Sequence, residues 1–240
     1  MEKNSNPGKF IVLDGIDGSG KATQIKLLLE RLRGEGYPVE KIDFPQYGKK
    51  SAGLVEEYLN GKYGKAEDVG PYRASVFYAC DRYDASFLIK TWLDEGKIVI
   101  ADRYLSSNIG HQAGKIKDKD ERKAYLKWLY NLEYGIFGIP RPDVTIILKV
   151  PPAFSQQLIG KTTDAEKVQK RSSYLGGKEK DIHEANAEHL FLAFNSYLEA
   201  AEEFPEEFQL LECVEAGQLL SPDEVHQRVY QVVKEILQKA

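Results

Sequence analysis

Cysteine is scarce in this chain. The two present among 240 residues, Cys80 and Cys213, are too few for a disulfide framework or a cysteine zinc site. Cys80 falls in a helical pattern and Cys213 in a strand pattern, so both read as buried free thiols. Long hydrophobic runs are missing as well, and none approaches the ~18 residues of a membrane-spanning helix. The opening stretch, Met1 to Lys9, is polar and lacks the apolar centre of a secretory leader. Positive charge is not in excess: 33 Lys and Arg against 37 Asp and Glu give a net charge of −4. That argues against broad attraction to nucleic acid or to an anionic membrane, and makes any basic site local. There is no internal repeat and no extended low-complexity segment. These absences lead to the expectation of a soluble, cytoplasmic protein with neither a nucleic-acid nor a membrane partner. The length suits a single domain over 1–240 with one substantial core.

What is present is an alternation of strand and helix patterns. Phe10 to Leu13, Val39 to Phe44, Ile98 to Ala101, Val144 to Val150 and Phe208 to Val214 read as strands. Helical patterns fall between them: a first with Ile25, Leu28, Leu29 and Leu32 on one face, a short one over Ala52 to Asn60, and a long one from Pro71 to Asp94. Others cover Lys117 to Tyr134, Ile182 to Glu203 with Ala187, Leu190, Phe194 and Leu198 along one side, and Pro222 to Gln238. Gln156 to Lys180 is charged and weakly patterned. The expected fold is α/β, a parallel sheet flanked by helices with right-handed crossovers, and ligands bound at the carboxyl ends of its strands.

At the end of the first strand runs Asp14-Gly-Ile-Asp-Gly-Ser-Gly-Lys-Ala-Thr-Gln24. The spacing from Gly15 to Gly20 and Lys21 fits the phosphate-binding P-loop, in which glycines let backbone N–H groups converge on phosphate oxygens while the lysine and a helix N-terminus add positive charge. Gly15, Gly18, Ser19, Gly20, Lys21, Ala22 and Thr23 are therefore candidate nucleotide-binding residues. Ala22 stands where a Mg²⁺-ligating Ser or Thr is usual, and the hydroxyl comes one residue later at Thr23. A second strand ends in Asp102-Arg103-Tyr104, an apolar run followed by an acid. That pattern suits a carboxylate near Mg²⁺ and an arginine that offsets phosphoryl charge, although an N-cap aspartate with a surface arginine fits it too. Tyr78 and Arg82, four apart, share a helix face, either to stack a base and pair with a phosphate or as an ordinary aromatic stripe. Asn108, His111 and Gln112 offer three hydrogen-bonding side chains on one face, suited to a base edge or simply to solvent.

Taken together these stretches resemble the thymidylate kinases of the nucleoside monophosphate kinase group. The resemblance runs from about Lys9 to the C-terminus, on Asp14 to Gln24, Phe44-Pro45, Phe77 to Arg82, Asp102-Arg-Tyr104 with Ser107-Asn108, and Pro142 to Leu148. It implies a P-loop NTPase-type sheet with a short lid at about 160–181, and transfer of the γ-phosphoryl group of ATP to thymidine monophosphate with Mg²⁺, in a homodimer. It also implies roles: Lys21 on the ATP phosphates, Asp17 near the acceptor's sugar and the metal, Tyr78 stacked on thymine, and Arg82 at base and phosphate. Arg103 would bridge donor and acceptor, and Asn108, His111 and Gln112 fall in the base-recognition segment. Phe44 belongs to the acceptor site on the same basis.

Departures from the pattern bear on acceptor and efficiency. Tyr47 occupies the place of an acceptor-phosphate arginine, leaving Lys49 or Lys50 as a point charge. Lys149 replaces the usual aspartate, and Asp181-Ile-His-Glu184 lacks the lid arginine. Lys167, Lys170 and Arg171 are the remaining lid cations, with Arg171 the catalytic candidate. A kinase of another deoxynucleotide or deoxynucleoside, or a nucleotide-binding pseudokinase, stays open on these grounds.

Overall fold

The computed structural model describes residues 8–159 and 187–238. Its framework is a five-stranded, all-parallel sheet in the order β2-β3-β1-β4-β5. The strands are β1 (Lys9–Asp14), β2 (Val39–Asp43), β3 (Ile98–Asp102), β4 (Val144–Lys149) and β5 (Phe208–Glu212). β1 lies at the centre because both its faces are apolar. Phe10 and Val12 pack into one core with Val99, Ala101 and Ile147. Ile11 and Leu13 enter the other with Ile98, Ile100, Ile146 and Leu148. The period of two thus divides one strand between two helical layers.

On the second face lie α1 (Lys21–Gly34) and α8 (Pro222–Gln238). The α1 residues Ile25, Leu28, Leu29 and Leu32 are all buried there, each gaining roughly 1.5–3 kcal/mol on full burial. The first face carries α3 (Ala66–Asp94), α4 (Leu105–His111), α5 (Lys119–Tyr130) and α7 (Ala187–Glu203). Two shorter helices, α2 (Gly53–Leu59) and α6 (Pro152–Ile159), complete the described set. In register, Leu13 and Asp43 both stand opposite Asp102, so β1, β2 and β3 end together in acidic residues at one edge.

Several expectations change in detail. The long helix starts at Ala66 and is broken at Gly70, where φ is 74°; Pro71 then opens its main run, as its fixed φ favours. Lys117 to Tyr134 is not one helix: α5 ends at Tyr130 and a π-helical stretch, Asn131–Ile136, follows. The last strand stops at Glu212, and Val214–Glu215 pairs with Gln218–Leu219 in a small hairpin. Pro152–Ile159 is helical, and its end, 156–159, lies in the stretch that reads as weakly patterned. Along α7 the buried face is wider than the expected stripe: His189, Leu190, Ala193, Ser196 and Tyr197 turn inward while Phe191 is exposed. The lid at 160–181, with Lys167, Lys170, Arg171 and Asp181 to Glu184, lies outside the described residues.

Candidate active site

The P-loop closes the carboxyl end of β1. Gly18 has φ 77° and Gly20, which precedes α1, has φ 88°, a backbone region that L side chains disfavour. A Cβ on Gly18 would stand 2.4 Å from the Ser155 carbonyl oxygen, so α6 packs directly on the loop. Lys21 folds back over it, its Nζ donating to the carbonyls of Gly15 (3.0 Å) and Ile16 (2.9 Å). Burial and then repulsion from Arg103 lower the Lys21 amine to about 8. Ala22 is half-buried, and Thr23 is exposed on the first turn of α1.

Arg103 adopts a left-handed φ of 68°, its N–H donating to the Leu13 carbonyl. This unusual backbone turns the side chain toward the P-loop. Nη2 donates to Asp17 Oδ1 at 2.5 Å. Nη1 lies 3.1 Å from His111 Nε2 and 3.3–3.4 Å from Ser107 Oγ, the Gly15 carbonyl and Asp14 Oδ1. Burial alone would raise the Asp17 carboxyl, but Arg103 above all, with Lys21, overrides it and holds the group well below the usual carboxylate range. Burial opposes the Arg103 charge, and Asp17 and Asp14 more than restore it.

Asp14 is the fixed point behind this pair. Fully buried, it accepts from Gly15 N–H (2.8 Å), Ser106 Oγ (2.6 Å), Ser107 Oγ (2.8 Å) and Tyr197 Oη (2.9 Å). Ser106, Tyr197 and this role of Asp14 escape sequence reasoning, because the contacts span as many as 183 positions.

Asp102 fits a metal-adjacent role. Its Oδ1 is buried with no hydrogen-bond partner among the described residues. Burial raises its carboxyl, with Lys21 and Arg103 acting against that. Among the described residues no group of three or more His, Cys, Asp or Glu could hold a metal alone. A single open carboxylate suits Mg²⁺ carried mainly by nucleotide phosphates and water.

The expected acceptor residues are arranged differently from one another. Arg82 is a fully buried ion-pair partner: Nε and Nη2 donate to the two oxygens of Glu133 at 2.6 and 2.7 Å, and Nη1 donates to the Tyr104 carbonyl at 3.2 Å. It is therefore neither a surface arginine nor an open phosphate fork. Burial disfavours its charge, and Glu133 outweighs that. Glu133, within the π-helical stretch and fully buried, is a further residue that sequence reasoning missed. Tyr78 is half-buried, edge-on to Tyr58. Phe44 is not presented openly: the residue is 6% exposed and its ring packs on Tyr104. Asn108 donates through Nδ2 to the Ser75 carbonyl, and Gln112 Oε1 accepts from Lys115 Nζ at 2.8 Å; both are buried. His111 is drawn to Arg103 and His189. Lys49 is exposed beside Gln46, whose own N–H is held by Asp81.

A family model for thymidylate kinases matches residues 13–212. The chain belongs to the thymidylate kinase family. The thymidylate kinase of Mycobacterium tuberculosis is 30% identical over 180 residues, 75% of this chain and 79% of that one. A probable thymidylate kinase of Thermococcus onnurineus is 31% identical over 236 residues, 96% of this chain and 99% of its own. The structure of the Candida albicans thymidylate kinase superposes with a TM-score of 0.69 at 23% identity, covering 97% of this chain and 93% of that one. At that identity the likeness speaks for the fold, and the α/β P-loop-type architecture is shared.

Proposed function

We propose that the chain transfers the γ-phosphoryl group of ATP to thymidine monophosphate, giving dTDP and ADP for dTTP synthesis. The observation that carries this reading is the Arg103–Asp17 pair, 2.5 Å apart, beside a P-loop whose lysine rests on its own loop carbonyls. These pairings are exchangeable, and incoming phosphates replace them with stronger partners. Lys21 and the loop N–H groups hold the donor phosphates. Arg103 offsets charge on the group in transfer, and Asp17 orients Arg103 and the acceptor sugar. Asp102 would face Mg²⁺ carried in with ATP, which would supply positive charge against the phosphates. The acceptor phosphate is already an anion, so no general base is required. Catalysis is positioning and electrostatics.

Tyr78, Asn108, Gln112 and Arg82 form the base end of the acceptor site in this reading. With Glu133 neutralising it, Arg82 suits a neutral base edge better than a phosphate, which is left to Arg103 and Lys49. We read 1–240 as one domain acting in the cytoplasm; no helix among the described residues is long and apolar enough to cross a membrane. A homodimer is supported by Tyr83, Phe87, Leu88 and Ile136, large apolar side chains exposed along α3 and the π-helical turn.

The test is ADP release with Mg-ATP and each nucleoside monophosphate in turn, against a control without acceptor. Selective turnover of thymidine monophosphate is expected. Selective turnover of another acceptor would replace the substrate, and ATP binding without any acceptor-dependent rate would replace the activity with a regulatory role.

A further inference from the structure

Helix α7 supplies a polar face to the site from a part of the chain that no P-loop motif reaches. His189, Ala193 and Tyr197 are spaced four apart and all buried. α4 docks tightly on this face: a Cβ on Gly110 would fall 2.3 Å from the Tyr197 ring, and one on Gly114, just beyond α4, 2.9 Å from the Leu192 carbonyl oxygen. Tyr197 Oη reaches Asp14, while His189 Nε2 lies 3.1 Å from His111 Nδ1 with the two ring planes 27° apart. His111 Nε2 in turn lies 3.1 Å from Arg103 Nη1.

The direction of this chain is fixed by elementary chemistry. A guanidinium has donors and no acceptor, so His111 Nε2 must accept. A neutral imidazole that accepts at Nε2 carries its proton on Nδ1, so His111 donates to His189. His189 Nε2 must then accept, and its own proton sits on Nδ1. Burial, with repulsion from Lys115, lowers the His189 imidazole to about 4, in keeping with a neutral ring at physiological pH.

We infer that His189 is a positioning residue for Arg103: through His111 it fixes the acceptor that aims the Arg103 Nη1 edge into the phosphate cleft. This rests on the reading of Arg103 as the group that meets the transferring phosphoryl. Asp17 holds one end of the guanidinium and the histidine pair the other, so its plane is set from two sides.

Two measurements on the full chain test the inference. Long-range ¹H–¹⁵N spectra at neutral pH, assigned by single histidine substitutions, are expected to show His111 and His189 both protonated at Nδ1 and bare at Nε2. His189→Leu removes the acceptor and is expected to lower kcat about tenfold with both KM values within about threefold, while His189→Gln, whose Oε1 can accept, stays within about threefold of wild type. A proton on either Nε2, an unchanged kcat in His189→Leu, or equal losses in the Leu and Gln variants would each overturn it. The spectra need no turnover. Absence of thymidylate phosphorylation in the wild type would sink the functional reading, and is thereby distinguishable from a failure of the histidine link.

Discussion

Arg82 and Arg103 are both drawn inward and paired with a carboxylate, yet they are held in opposite ways. Arg82 meets Glu133 through two short parallel bonds, with side chains 2% and 0% exposed. Arg103 meets Asp17 through one, with side chains 17% and 27% exposed, and its remaining partners are mostly at 3.3–3.4 Å. The first arrangement locks a guanidinium; its cost in desolvation is offset only while the partner is present. The second holds a partly exposed guanidinium by one short bond and several longer ones, which is easier to re-pair. Two arginines that look alike in sequence are thus held differently according to what surrounds them.

The comparison breaks most sharply at Glu133. Glu133→Leu leaves the Arg82 charge buried and unpaired, and is expected to lower unfolding free energy by about 3–5 kcal/mol in urea denaturation. Asp17→Ala, by contrast, leaves Asp14 facing the Arg103 guanidinium and should cost less than Glu133→Leu does. Equal losses in the two variants would dissolve the distinction. The double variant Arg82→Met with Glu133→Leu sharpens it, because removing both charges restores much of the stability. With folding recovered, KM for thymidine monophosphate is expected to rise roughly 10- to 100-fold while KM for ATP holds, if Arg82 also reads the acceptor. An unchanged acceptor KM would leave Arg82 purely architectural.

What sequence made legible was local. β1, the glycine spacing and the apolar face of α1 lie within one stretch of chain, and all fold as their periodicities require. Asp102 and Arg103 were legible as a strand end, but the positive φ that turns Arg103 inward leaves no mark on a non-glycine residue. Arg82 and Glu133 are 51 positions apart, and Glu133 lies where the helix widens to a π-turn, which the 3.6-residue period does not announce. On α7 the expected Leu190 and Phe194 do pack on the core, but the buried face widens to His189, Ser196 and Tyr197, since polar partners on α4 and Asp14 satisfy those groups once buried. Helix α6 was hidden by its brevity, although it abuts the P-loop through Gly18.

In the proposed function Arg103, the exchangeable arginine, acts on the phosphoryl in flight. Rapid-quench single-turnover measurement of γ-phosphoryl transfer in Arg103→Lys, with saturating Mg-ATP and thymidine monophosphate, tests it most directly. A point charge on a flexible stem cannot reproduce the fork, so the transfer rate is expected to fall by about 10²–10³ with both ligands still binding. A transfer rate within a few-fold of wild type would contradict the account and leave the Arg103–Asp17 pair a structural one.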